Sequence, residues 1–154
     1  FGDVELTVHC AAELLKRAPE YDYLIAPEAK AIPLLYEMAR QSGAEKYFLA
    51  RKGAKAYMTG VFEVEVRSIT TMHIQKLVID TADAEMIKGK KVLIVDDVIS
   101  TGESLHAMEE LVKRAGGIIA GKMAVLAEGD AYNRTDIITL GKLPLFNADG
   151  TPKA

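Results

Sequence analysis

A single cysteine, Cys10, leaves this chain with no internal disulfide to form and no thiolate cluster to hold zinc. Cys10 falls on a helical pattern, so simple burial is expected for it. Histidine is scarce as well, and His9, His73 and His106 are too scattered to make a metal cage. No apolar run approaches the roughly 20 residues that span a bilayer. The opening residues Phe1-Gly2-Asp3-Val4-Glu5 do not form a signal peptide. A soluble, cytoplasmic protein is expected, with no membrane partner. Neither charge sign dominates, since 19 Lys and Arg stand against 22 Asp and Glu. A formal net charge of -3 gives no general attraction to polyanions, which removes the usual basis for nucleic-acid binding. Any phosphate must therefore be bound locally. Internal repeats are lacking, and so is an initiating Met, which leads us to expect that N-terminal residues are missing.

What is present suits one ordinary globular domain: 154 residues, 49% hydrophobic and 27% charged. We expect a single domain over residues 1–146 and a loose tail over 147–154. Asp3 reads as an N-cap, and Val4, Val8, Ala11 and Leu15 mark one face of a helix ending before Pro19. Tyr23–Ala26 reads as a strand, Ile32–Ala39 as a helix and Lys46–Ala50 as a second strand. Phe62, Val64 and Val66 alternate with Val61, Glu63 and Glu65, the period of a half-exposed antiparallel strand whose partner is Ile74–Ile79. The polar tip between them reads as a mobile hairpin end. A short helix around Ala82–Met86 follows. Then Val92–Val95 is a buried central strand, and Leu105, Met108, Val112 and Ala115 line a helix, with Glu109–Lys113 and Glu110–Arg114 as outer pairs. Strands at Ile118–Leu126 and Ile137–Leu140 complete an α/β fold with a mostly parallel sheet flanked by helices.

The chemistry concentrates in Val92–Ser104. Asp96 and Asp97 stand at the carboxyl end of a buried strand, where open α/β sheets bind ligands. Val98 and Ile99 lead into Ser100-Thr101-Gly102-Glu103-Ser104, a turn that opens the next helix. Its backbone N–H groups, helix dipole and hydroxyls converge on one point suited to a phosphate monoester. Ionised carboxylates beside it suit the hydroxyls of a sugar. A second stretch, Gly116–Lys122, matches the first seven positions of a phosphate-binding P-loop. Met123 then breaks the motif, and the stretch runs from helix into strand, the reverse of the required context.

The thirteen residues from Val92 to Ser104 resemble, at almost every position, the phosphoribosyl diphosphate motif of type I phosphoribosyltransferases. The resemblance implies that fold, with an antiparallel flexible hairpin and a small or truncated hood. It also implies that Asp96 and Asp97 hold the ribose hydroxyls, and Mg²⁺ mainly through substrate and water, while Ser100–Ser104 take the 5-phosphate. Glu103 replaces a residue that is small in many members, and its side chain is expected to point to solvent. The loop Ala26-Pro27-Glu28-Ala29-Lys30 takes the place where the family rests the diphosphate on backbone amides, often beside a cis bond, here Glu28–Ala29 or Ala29–Lys30. Adenine enzymes commonly carry Arg-Gly in this loop. Arg51-Lys52, with Lys55 and Tyr57, resembles the Arg-Lys-x-x-Lys-x-Tyr stretch of adenine and related purine enzymes, and would offset the charge of diphosphate. Lys52 joins Asp96 and Asp97 as the expected catalytic set. The hairpin tip, with Arg67, Ser68, Thr70 and Thr71, takes the place of the family's water-excluding loop.

The implied function, in purine salvage, is transfer of the ribosyl phosphate of 5-phosphoribosyl 1-diphosphate to a purine, with adenine as the first expectation. Val66–Thr70 also resembles xanthine enzymes, which makes a 6-oxopurine the alternative acceptor. Glu128 and Asp130 are the candidate base contacts. A different class, a non-enzymatic regulator that binds the donor as a signal, is the remaining alternative. The family resemblance further implies a homodimer.

Overall fold

The computed structural model describes residues 2–67 and 72–153. Helix α1 spans Val4–Arg17 and starts where the Asp3 carboxylate accepts the Leu6 N–H at 2.9 Å. Strand β1 spans Tyr23–Pro27, helix α2 Ile32–Ser42 and strand β2 Phe48–Ala50. Gly43 closes α2 in the left-handed conformation, φ 73°. Strands β3 (Val61–Arg67) and β4 (Ile74–Asp80) pair antiparallel in full register from Val61↔Asp80 to Arg67↔Ile74. Helix α3 (Thr81–Ile87) leads to β5 (Lys91–Ile99), α4 (Glu103–Arg114) and β6 (Ile118–Glu128). A 3-10 turn over Gly129–Asn133 then precedes β7 (Ile138–Leu143). Beyond β7 the chain folds back on itself, with the Asn147 N–H donating to the Thr151 carbonyl and a bridge from Phe146 to Pro152.

The main sheet has the order β2-β1-β5-β6-β7, parallel throughout, and the β3–β4 hairpin forms a separate two-stranded sheet. The α/β fold with a mostly parallel sheet is thus as expected. Strand β5 explains itself: Leu93 and Val95 pack with α1 and α2 residues such as Leu14, Leu34 and Met38. Val92 and Ile94 face the opposite way, onto Ile79 of the hairpin and onto Ile87, Met108 and Leu111. A strand covered on both faces needs an uninterrupted apolar run.

One boundary is corrected. The sequence places the end of the central strand at Val95, yet β5 continues through Asp96 and Asp97 to Ile99. The eleven-residue β6 pairs along this extension, Val98 with Leu126 and Ile99 with Ala127, and supplies the ladder that the acids themselves do not predict. Strand β1 registers with β5 only as far as Ile25↔Ile94. Past that point the neighbour on one side is gone, and a crevice opens beside the two acids where the strand order reverses. A second correction concerns α4: Glu109 does not pair with Lys113 but reaches Lys122 on β6 at 2.8 Å, because it points toward the sheet. Glu110 is the outer partner, 3.4 Å from Arg114 and 3.9 Å from Lys113. Cys10 is buried, as expected. Among the described residues no helix is long and apolar enough to cross a membrane.

Candidate active site

A cavity of about 560 Å³ opens at the carboxyl ends of β1 and β5. Glu28, Ala29 and Lys30 line it from the loop after β1, and Lys52 from the end of β2. Asp96 to Leu105 form its floor and far wall, which brings every residue of the Asp96–Ser104 segment to one place. Arg51, Lys55, Tyr57, Arg67, Glu128 and Asp130 are not among its described lining residues. Ser68, Thr70 and Thr71 lie outside the described residues.

The first wall is built around Glu28. The Glu28–Ala29 peptide is cis, the first of the two expected bonds. One Glu28 carboxylate oxygen accepts the Lys52 N–H at 2.8 Å and the other accepts from the Arg51 guanidinium at 3.0 Å. The Lys52 amide, with Arg51 behind it, holds this carboxyl below its ordinary range despite partial burial. Arg51 is therefore committed to Glu28, and its guanidinium also stands 5.8 Å from the Tyr57 ring centre. The cations left lining the cavity from these two loops are Lys30 and Lys52, both exposed.

Opposite lies the acid pair. Asp96 accepts the Asp97 backbone N–H at 2.8 Å, which holds the two acids side by side. Burial, reinforced by the neighbouring Asp97 carboxyl, pushes Asp96 up to about 7, with Lys30 opposing in part.

The third wall is the turn into α4. Gly102 occupies the N-cap at φ 84° and offers no side chain to cap the helix. The Glu103 N–H donates to Thr101 Oγ1 at 3.4 Å, and the start of α4 faces the cavity with the helix dipole behind it. Glu103 is half-buried and lines the cavity with the rest of the turn.

Two sets of residues escaped the sequence. His73, Ile74, Gln75, Lys76 and Leu77 of the hairpin line the cavity, so the hairpin stem forms part of its wall. Lys76 is paired with Glu63 across the hairpin at 2.7 Å. The other is Arg134, whose Nη1 lies 2.6 Å from where a Cβ on Gly102 would stand. No spacing in the sequence announces a contact between positions 32 apart; only the Gly102 requirement hints that something crowds it.

Fold and cavity define a doubly wound α/β protein with an acid pair, an anion-ready helix start and flanking lysines in one crevice. The family described as "Phosphoribosyl transferase domain" matches residues 7–139. The chain belongs to the phosphoribosyl transferase domain family. It is 36% identical over 110 residues to an adenine phosphoribosyltransferase of Thermotoga sp. (strain RQ2), a match that covers 71% of this chain and 60% of that relative. The chain thus matches only about three-fifths of that relative's length. Its fold is that of the adenine phosphoribosyltransferase of Thermoanaerobacter pseudethanolicus, with TM-score 0.73, 23% identity and coverage of 92% of this chain and 83% of that one. The corresponding enzyme of Trypanosoma brucei, solved with AMP, pyrophosphate and ribose-5-phosphate, also gives TM-score 0.73, at 16% identity, covering 92% and 66% of the two chains.

Proposed function

We propose that this chain binds 5-phosphoribosyl 1-diphosphate and transfers its ribosyl phosphate to a purine, with adenine as the acceptor. The observation that carries it is the meeting in one cavity of Asp96, Asp97, the Ser100–Ser104 turn, Lys30 and Lys52. A phosphate monoester sits on the helix start, the ribose hydroxyls donate to the acid pair, and the diphosphate rests on the Glu28–Lys30 loop with Lys30 and Lys52 beside it. Arg51 acts behind Glu28, and Lys55, Tyr57 and Arg67 complete the proposed donor-binding set outside the cavity lining. The kinship with adenine phosphoribosyltransferases supports the acceptor, and Glu128 and Asp130 are its candidate contacts.

Among the described residues no group of three or more His, Cys, Asp or Glu could hold a metal ion. Two carboxylates in an open cleft do fit Mg²⁺ carried in by the substrate, because this ion keeps its waters and takes one or two carboxylates beside phosphate oxygens. Asp96 and Asp97 would hold it, and when bound it neutralises charge on the departing diphosphate. No side-chain nucleophile is required. The protein's own contribution is to fix donor and base in line and to exclude water as the hairpin closes. We take the active form to be a cytoplasmic homodimer, which light scattering of the purified protein checks.

A steady-state assay of diphosphate release against adenine, guanine, hypoxanthine, xanthine and orotate tests the acceptor. We expect turnover with adenine. A rate confined to 6-oxopurines would reassign the base, and silence with all five despite donor binding would assign a regulator.

The Asp96 proton gives a separate test. Sugar hydroxyls donate more strongly to an ionised acceptor, so donor binding favours the charged form of Asp96 and expels a proton where Asp96 is still protonated. Titration calorimetry at pH 6, in two buffers of different ionisation enthalpy, is expected to show roughly one more proton released by the wild type than by Asp96→Asn. At pH 8.5 that difference is expected to vanish. Equal release by both proteins at pH 6 would refute the assignment.

A further inference from the structure

We infer that Arg134 is a positioning residue for the phosphate end of the donor: fixed by Asp136, its guanidinium stands close against Gly102 and limits the shapes the phosphate-receiving turn can take. The inference rests on the donor proposal above and names a residue outside its motif.

The turn that receives the phosphate has a charge problem. Residues 98–105 contain no lysine or arginine, while Asp96, Asp97 and Glu103 all line the same cavity. Lys30 and Lys52 enter from the loops after β1 and β2, at the diphosphate end. A dianionic phosphate at the start of α4 therefore relies on backbone N–H groups and hydroxyls, with no cation from its own segment.

Arg134 is the cation that comes up to this turn, with its charge balanced by Asp136. It follows the 3-10 turn, and its Nε and Nη2 grip the two oxygens of Asp136 at 2.9 and 2.7 Å. Asp136 also accepts from Lys122 Nζ at 2.6 Å, and Lys122, only 15% exposed, donates to Glu109 of α4 at 2.8 Å. Charges alternate along this chain of four, so each carboxylate has a cation and the planar fork of Arg134 has one orientation. Two of its three nitrogens are occupied. The third, Nη1, makes no hydrogen bond among the described residues and presses on Gly102. Because Glu109 belongs to α4, the helix whose first turn meets the phosphate is tied to the same network that aims the guanidinium. Arg134 does not line the cavity itself, so it acts through Gly102, by limiting how the turn can move.

A purely structural clamp would weaken every ligand together, whereas a phosphate-positioning residue discriminates between the two ends of the donor. Calorimetric titration of ribose 5-phosphate and, separately, of magnesium diphosphate makes that comparison on wild type, Arg134→Ala and Asp136→Asn. For Arg134→Ala we expect ribose 5-phosphate affinity to fall roughly tenfold and diphosphate affinity to stay within about twofold. Asp136→Asn keeps the cation but frees it, and is expected to show the same selectivity at about threefold. In turnover the KM for the donor rises while kcat holds, because the reacting centre lies at the other end of the ribose ring. Equal losses for both ligands, or unchanged ribose 5-phosphate affinity in either folded variant, overturns the inference. If Arg134→Ala fails to fold, Asp136→Asn decides by the same criterion. A wild type that binds neither ligand overturns the donor proposal itself, and this inference with it.

Discussion

Asp97→Asn is expected to lower kcat/KM for the donor by roughly 10²–10³-fold, the loss of one or two hydrogen bonds to a charged acceptor at the sugar. Its fold is expected to survive, with a melting temperature within about 3 °C of wild type. The reason lies in the acid pair itself. Asp97 stands beside Asp96, its backbone N–H donating to the Asp96 carboxylate, in a site where burial disfavours charge on Asp96. Such a pair is not there for stability.

The neighbouring acid makes the same point through the sign of its titration. Asp96 is raised in the folded protein from 3.8 to about 7, so between these values the folded state holds more of its proton than the unfolded state. Stability from this group is then full below about pH 4 and lost as pH rises through about 7. At pH 8 Asp96→Asn is expected to melt at or above the wild-type temperature while losing donor use. A variant that is less stable and less active at pH 8 would instead mark Asp96 as a structural residue.

How much of this was legible beforehand differs between elements. The apolar run Val92–Val95, the alternation at Val61–Val66 and the Asp3 cap each encode a local preference, so the strands and helices followed from them. The donor segment was legible for the same reason, since acids, turn and helix start are contiguous in the chain. What escaped was built by partners distant in sequence. The ladder from β6 carried β5 past its apolar stretch, and Lys122 drew Glu109 off its helix neighbour. Arg51, a cation for diphosphate on composition, turned out to be neutralised by Glu28 once β1 and β2 lay side by side. The stem of the hairpin entered the cavity wall only because the two sheets meet at Arg51↔Val78.

Gly102→Ala is expected to have the second large effect, destabilising the protein by about 2–3 kcal/mol. Two causes act together. At φ 84° an alanine occupies the left-handed region, which costs roughly 1–2 kcal/mol in itself. The new Cβ would also lie 2.6 Å from Arg134 Nη1. A long side chain usually swings away from such a clash at little cost, but this one is gripped at two nitrogens by Asp136, so moving it breaks a bidentate pair. The two causes separate in a double-mutant cycle. In an Arg134→Ala background the clash is gone and only the backbone cost remains, so Gly102→Ala is expected to cost about 1 kcal/mol less there than in wild type. Urea unfolding of the four proteins measures both terms. Strict additivity would mean that Arg134 swings freely, and the turn would then owe its shape to the glycine alone.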